Sequence, residues 1–274
     1  IEATVVDANN QEVSARASAV VHRGAFYIGL QPQGYVGSVG KEQAVNVVTV
    51  DPWGDLVPNR ALTIEVYEHR WHNVKEQQSD GTVRWVSRSE DELVDTQEAM
   101  TGPDGRTIVS FVPAKGGAYR IRAIGTDDRR NEVSASTYVW ISSSDYTAWR
   151  MENHNRIDLV ADKKGYQVGD VASVLVPSPF QGSYRALITI ERGRIVEHRV
   201  VEMTGNSEQI EIPIEPRFVP NVYVSVFLLK GQDESNALAT YRLGYVSLPV
   251  SPERKELQVS IVPDSEQYEP GDEA

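Results

Sequence analysis

Apolar residues along this 274-residue chain recur in short alternating runs. Val45-Asn46-Val47-Val48-Thr49-Val50 and Leu62-Thr63-Ile64-Glu65-Val66-Tyr67 each turn one face to a core and one to water. Gly, Asn, Asp and Pro break the runs at intervals of roughly 8–12 residues, the rhythm of β-sandwiches. The first run ends in a turn at Asp51–Asp55, and the second is predicted to return antiparallel to it. Asp80-Gly81 and Asp104-Gly105 read as two-residue hairpin turns, because Gly takes positive φ without a Cβ clash. Thr107–Val112 and Tyr119–Ile124 are predicted to pair, with a hairpin turn at Gly116-Gly117, and Tyr138–Ile141 closes the unit. Near Ile1, a turn at Asn9-Asn10 between Ala3–Asp7 and Ala17–His22 predicts a terminal hairpin that closes a preceding domain or extends the first.

The pattern then shifts. Ser142-Ser143-Ser144-Asp145 and the polar stretch to Arg156 read as a linker. A second β unit follows, with strands at Ala172–Val176, Ala186–Ile190, Ile195–Val201, Gln209–Ile214, Val222–Leu229 and Leu238–Val246 and a hairpin turn at Arg192-Gly193. Pro177 and Pro179 lack N–H donors and are expected at a strand end or edge. No run longer than ten residues keeps a helical period. The best helical candidate, Glu90–Thr96, is short and charged, and its length favours a loop. Val74–Thr96 is expected to be the first stretch a protease cuts.

One self-similarity outweighs any single residue. Asp162, Tyr166, Gly169, Asp170 and Ala172 recur as Asp264, Tyr268, Gly271, Asp272 and Ala274, at a constant offset of 102 from Tyr166 to Tyr268. Ile157 and Leu159 align with Val259 and Ile261. The motif is an alternating strand, then Asp-x-x-x-Tyr-x-x-Gly-Asp, then the next strand. Gly-Asp makes the turn, and the Tyr ring is expected to cover the sandwich edge with its hydroxyl wet. The period is that of one small sandwich.

Composition narrows the chemistry. Apolar residues make up 40% and charged residues 24%, which is ordinary globular composition. With no cysteine, a disulfide framework, a thiolate metal site and a cysteine nucleophile are excluded from this chain. A net charge of −12 disfavours nucleic acid and anionic membrane as partners. No apolar run approaches a membrane span. There is no initiator Met or leader at Ile1, and the chain stops on the turn signal Pro270–Ala274 where a strand should follow. These ends predict an internal piece of a longer protein.

Candidate sites were weighed residue by residue. His69 and His72 lie three apart in a strand, hence on opposite faces and poorly placed for one metal. His198 shares a face with Val196 and Val200 and reads as an edge residue. His22 and His154 have no triad-like neighbours, and Gly-x-Ser-x-Gly is absent. Asp127-Asp128 and Glu90-Asp91-Glu92 lack EF-hand spacing and read as solvated acidic loops. Trp53 is expected to pack on a sandwich rim. Trp149, near Tyr146, is expected to wedge between the two sandwiches. We therefore assign no catalytic, cofactor-binding or metal-ligating residue, no cofactor and no enzymatic activity.

The order Asp162…Tyr166-x-x-Gly169-Asp170, Pro179-Phe180-x-Gly182, Ile188-Thr189-Ile190-Glu191-Arg192-Gly193 and Pro220–Val226 resembles the macroglobulin-type sandwiches of bacterial alpha-2-macroglobulins. Leu248-Pro249-Val250 and Glu253–Ile261 look like the connection into a following domain. Tyr27–Leu30, Val47–Asp51, Gly54 and Ala61–Trp71 look like an earlier one. The resemblance implies tandem antiparallel β-sandwiches, all-β throughout: 1–23 as terminal strands of a preceding domain, 24–143 as a sandwich, 144–155 as linker, 156–249 as a second sandwich and 250–274 as the start of a third. It implies scaffold domains of a broad-spectrum protease trap in the bacterial envelope, periplasmic, cell-surface or secreted. Its partners would be other domains of the same inhibitor and, through the whole protein, target proteases. A thioester cannot lie in a chain without Cys, and the piece is expected to carry no bait segment, which would follow downstream. The alternatives are an adhesion or carbohydrate-binding sandwich array, or an accessory piece of a secreted hydrolase.

Overall fold

The computed structural model describes residues 1–79, 81–233, 238–252, 259–260 and 262. Two antiparallel sandwiches follow one another. In the first, a three-stranded sheet of β3 (Tyr27–Pro32), β5 (Gln43–Val50) and β8 (Arg106–Phe111) faces a sheet ordered β4 (Val36–Ser38), β10 (Glu132–Ser142), β9 (Gly117–Thr126), β6 (Ala61–Gln77) and β7 (Val83–Met100). In the second, β11 (Val160–Ala161), β12 (Val171–Pro177) and β15 (Ser207–Pro213) face β14 (Ile195–Met203), β13 (Tyr184–Glu191), β16 (Asn221–Lys230) and β17 (Thr240–Pro249). Period-2 alternation explains both cores. Val45, Val47, Leu62, Ile64 and Val66 are buried in the first, and Ile188, Val222, Val224, Val226 and Leu228 in the second.

The elements were legible but several pairings differ. β5 and β6 lie in opposite sheets, as do β8 and β9. The turns at Asp51–Asp55, Asp104-Gly105 and Gly116-Gly117 therefore carry the chain across the sandwich and are not hairpins between paired strands. The inner faces of both sheets need the same apolar alternation, so sequence alone does not say which sheet a strand joins. Glu90–Thr96 is neither loop nor helix. It is the middle of β7, paired residue by residue with β6 from Ala61↔Met100 to Gln77↔Val83. The proposed Asp80-Gly81 turn closes this hairpin at Gly81, whose φ is 81°; Asp80 lies outside the described residues. At the start of the chain β1 (Glu2–Val6) pairs with β2 (Glu12–Arg16), so the returning strand precedes the expected Ala17–His22. Pro177 ends β12 as expected.

The entry strands of the two sandwiches and the turn between them correspond at an offset of 129. Gln31 pairs with Asn46 as Val160 pairs with Leu175. Gly40 and Gly169 both hold positive φ, 74° and 100°, and their N–H groups donate to Pro113 and Ile214 at 2.9 Å. Gly37 stands parallel to Ile141 where Tyr166 bridges Val250. This equivalent turn escaped the sequence because only its glycine is kept: Gln33, Gly37 and Lys41 stand where the motif has Asp162, Tyr166 and Asp170. A Cβ at Gly37 would run into the Gln43 amide, which fills the place.

Candidate functional site: the joint between the sandwiches

The linker leaves β10 at Ser142 and forms a strap bonded to both sandwiches. On the second, the Asn206 carboxamide accepts the Thr147 N–H at 3.0 Å and donates to the Thr147 carbonyl at 2.7 Å. On the first, the Asn153 carboxamide does the same to Trp85, accepting its N–H at 2.7 Å and donating to its carbonyl at 2.9 Å. A side-chain amide presents a donor and an acceptor as a peptide group does, so each Asn acts as one rung of a β-ladder. Asn73 adds a third such pair, donating to Trp149 O at 2.8 Å and accepting Met151 N–H at 3.1 Å.

Trp149 is the apolar anchor. It is 8% exposed, and its indole N–H donates to Asn206 O at 2.8 Å. Arg150 lies over the Trp71 ring at 5.6 Å. Tyr146, expected to share the wedge, is instead 56% exposed. Direct contacts also join the sandwiches: Tyr35 N–H donates to Asp162 O at 2.8 Å, Lys164 lies over the Tyr35 ring at 5.3 Å, and the Gln209 amide reaches Ser142 Oγ at 2.5 Å, Gly37 O at 3.2 Å and Ser38 Oγ at 3.3 Å. Gly116 lets the strap pass. A Cβ there would sit 2.5 Å from Thr147 Oγ1 and 2.6 Å from Ser143 Cβ. A cleft of about 260 Å³ remains beside the strap, walled by Trp71, Trp140, Trp149, Met151, Pro179 and Arg242.

The residues weighed for chemistry are dispersed. His69 Nδ1 donates to the Asp91 carboxylate at 2.6 Å on one face of β6, and His72 faces Glu90 at 3.4 Å on the other. Glu90, Asp91 and Glu92 are not a solvated loop: they face His72, His69 with Arg120, and Arg70 across the hairpin. Asp127 closes its own turn, accepting the amides of Ala25, Arg129 and Asn131 and the Asn131 side chain. These bonds, the Asn131 side chain foremost, hold its carboxyl at about 2. Asp128 pairs with Arg60 at 2.9 Å. His198 is exposed on β14, and His154 meets Glu152 in the strap. Trp53 does not pack on the rim; it is 84% exposed at a turn whose amides are taken by Asp51. Among the described residues no group of three or more His, Asp or Glu is placed to hold a metal ion, and no helix is long and apolar enough to cross a membrane. The joint's carboxamides were missed in the sequence. For Asn153 and Asn206 the signal was the density of Asn, Ser and Thr in 142–155 and 204–209; Asn73, inside a strand, had none.

Two family models match along the chain: bacterial macroglobulin domain 6 over residues 29–140, and the alpha-2-macroglobulin bait region domain over residues 157–274. The chain belongs to the bacterial alpha-2-macroglobulin family. It is 24% identical to an alpha-2-macroglobulin homolog of Nostoc over 282 residues, covering 100% of this chain and 14% of that protein. It is 24% identical to an alpha-2-macroglobulin of Pasteurella multocida over 223 residues, covering 80% and 11%. The chain thus spans about one seventh or less of these macroglobulins. Among solved structures, the native conformation of Escherichia coli alpha-2-macroglobulin overlays with a TM-score of 0.41 at 19% identity, covering 90% of this chain and 16% of that one. Salmonella alpha-2-macroglobulin reacted with methylamine gives 0.40 at 16% identity, covering 91% and 16%.

Proposed function

We propose that this segment is a rigid scaffold unit of a bacterial alpha-2-macroglobulin-type protease inhibitor, acting outside the cytoplasm in the envelope or medium. The observation that carries the reading is the strap. Three carboxamides and one buried indole fix the angle between two sandwiches, which a cleavage-driven trap requires of the modules that transmit its collapse. Its division is 24–143 and 156–249 as sandwiches joined by 144–155, with 1–23 belonging to a preceding domain and 250–274 opening a following one.

The segment itself catalyses nothing and holds no cofactor in this reading. The bait-region match narrows the expectation of a piece without bait. The strands from Val160 to Pro249 are paired into the second sandwich, whereas a protease needs an extended, accessible segment. We therefore place the cleavable segment C-terminal to Val250.

The test is an inhibition assay on the longer polypeptide that carries this segment. It should suppress trypsin or elastase on a protein substrate, with first cleavage mapping beyond Val250, while the 274-residue chain alone leaves the protease unaffected. Inhibition by the 274-residue chain, or first cleavage within 160–249, overturns the reading.

A further inference from the structure

The two sandwiches are built alike, yet the outer faces of their larger sheets differ in kind. In the first, charges and aromatic rings share the face, with Tyr67, His69 and Trp71 of β6 beside Tyr138 and Trp140 of β10. Arg122 pairs with Glu65 at 3.5 Å and Glu132 at 3.4 Å, and Arg120 pairs with Asp91 at 3.0 Å while lying over Tyr67. In the second, the middle of the corresponding face is an apolar row, flanked by rows that carry Arg185 with Glu202 on one side and Thr189 with His198 on the other. Register places Val200, Leu187, Phe227 and Leu243 in one row across all four strands. Leu229 and Tyr241 follow in the next row, and Tyr245 and Tyr223 lie beyond on the other side.

These side chains are open to water: Leu187 38%, Val200 64%, Tyr223 49%, Leu229 47%, Tyr241 44% and Tyr245 56% exposed. Phe227 and Tyr241 stack with centroids 5.4 Å apart. A contiguous apolar row on a surface of −12 net charge costs solubility and is found where another surface covers it.

We propose that this face is a docking surface for a further β-sandwich domain of the same longer polypeptide. The proposal rests on the reading of this chain as one segment of a multidomain macroglobulin. A pleated face offers rows rather than a pocket, and it fits a second sheet laid across it at about 10 Å. Tyrosine rings at the flanks can bury their faces and leave their hydroxyls at the wet rim. A second copy of this chain is disfavoured, because two surfaces of −12 repel each other. The matched segment covers only 14% and 11% of the two relatives, so a longer polypeptide of this kind has ample further chain to supply the covering domain.

The experiment is tyrosine nitration read by peptide mass mapping, on the 274-residue chain and on the longer polypeptide. Tyr223, Tyr241 and Tyr245 should label readily in the former and lose label in the latter. Leu187→Lys, an outward substitution, should leave the melting temperature of the 274-residue chain unchanged and restore labelling of the three tyrosines in the longer polypeptide. Equal labelling in both proteins overturns the proposal. So does self-association of the 274-residue chain with loss of label on concentration, which identifies a second copy as the occupant. A reading frame coding for these residues alone overturns it as well. None of these readouts needs protease inhibition, so a longer polypeptide that inhibits while its tyrosines stay open refutes this surface and leaves the scaffold reading standing.

Discussion

The hydroxyl of Tyr166 donates to Asp162 at 2.8 Å, and the same carboxylate oxygen accepts the Ser173 amide at 2.8 Å. This pair explains the repeated motif. Tyr166 is 3% exposed, so its hydroxyl is not wet, as the sequence had suggested, but turned back to hold the loop that starts β12. Burial, and then the Asp162 carboxylate, push its pKa up. Tyr166→Phe removes two bonds, the one to Asp162 and the one its hydroxyl accepts from the Lys163 N–H at 3.2 Å. Lys163 is exposed and water can serve its amide, so the cost should be about 1–2 kcal/mol. Asp162→Ala leaves the buried Tyr166 hydroxyl and the Ser173 amide without their acceptor and should cost more. Urea unfolding checks the order; equal losses would contradict the shared acceptor. The second copy, Asp264 with Tyr268, lies outside the described residues.

Gly40 and Gly169 hold equivalent positive-φ turns. A β-branched residue is strained there by about 1–3 kcal/mol. Gly40→Val and Gly169→Val should therefore destabilise by similar amounts, each acting on its own sandwich. Hydrogen exchange resolved by peptide should show protection lost from β5 in one variant and from β12 in the other.

At the joint, Asn206→Ala leaves the Thr147 N–H and carbonyl without partners in a buried setting. Unmet polar groups cost about 1–3 kcal/mol each, so the strap should open while both cores persist. Trp149→Ala should act the same way. Small-angle scattering should broaden for both variants with little change in circular dichroism, and unchanged scattering would mean the direct contacts at Tyr35 and Gln209 suffice.

Gly116→Val tests the strap from the other side. A side chain there collides with Thr147 and Ser143, and no flexible group is present to yield. Trp149 emission should shift to longer wavelength as its indole is lifted from Asn206. An unshifted spectrum would show that the strap can pass a Cβ.

Asp127 titrates at about 2 in the folded chain, below about 3.9 for an unfolded aspartate. Its contribution is complete above that higher value and fades as pH falls towards the lower one, where the folded carboxylate also takes a proton. Asp127→Asn lacks one acceptor oxygen, so it should melt lower than wild type at pH 7. The gap should narrow between pH 4 and pH 2, and a gap constant with pH would assign the loss to packing instead.

The alternating runs around Val45, Leu62 and Val222 made the strands legible, since burial on one face imposes a period of two. Sheet membership was not legible at β5 and β6, because both inner faces ask for the same pattern. Glu90–Thr96 misled through its charge: its acids are matched by Arg70, His69 and His72 on a partner strand that lies about twenty residues away in sequence. Trp149 was readable as an anchor because a large ring in a polar linker has few other uses. Asn206 and Asn153 were not, since an asparagine that imitates a peptide group looks the same in sequence as one that faces water.

That imitation sets how the joint responds to its surroundings. The bonds from Asn73, Asn153, Asn206 and Gln209 run between neutral groups, so neither acid nor salt removes them, whereas the Arg122 and Arg120 pairs on the neighbouring sheet weaken as ions screen them. In a medium whose ionic strength drifts from dilute to briny, the surface charges would loosen and tighten with the weather outside. The angle between the two sandwiches would stay where the amides set it.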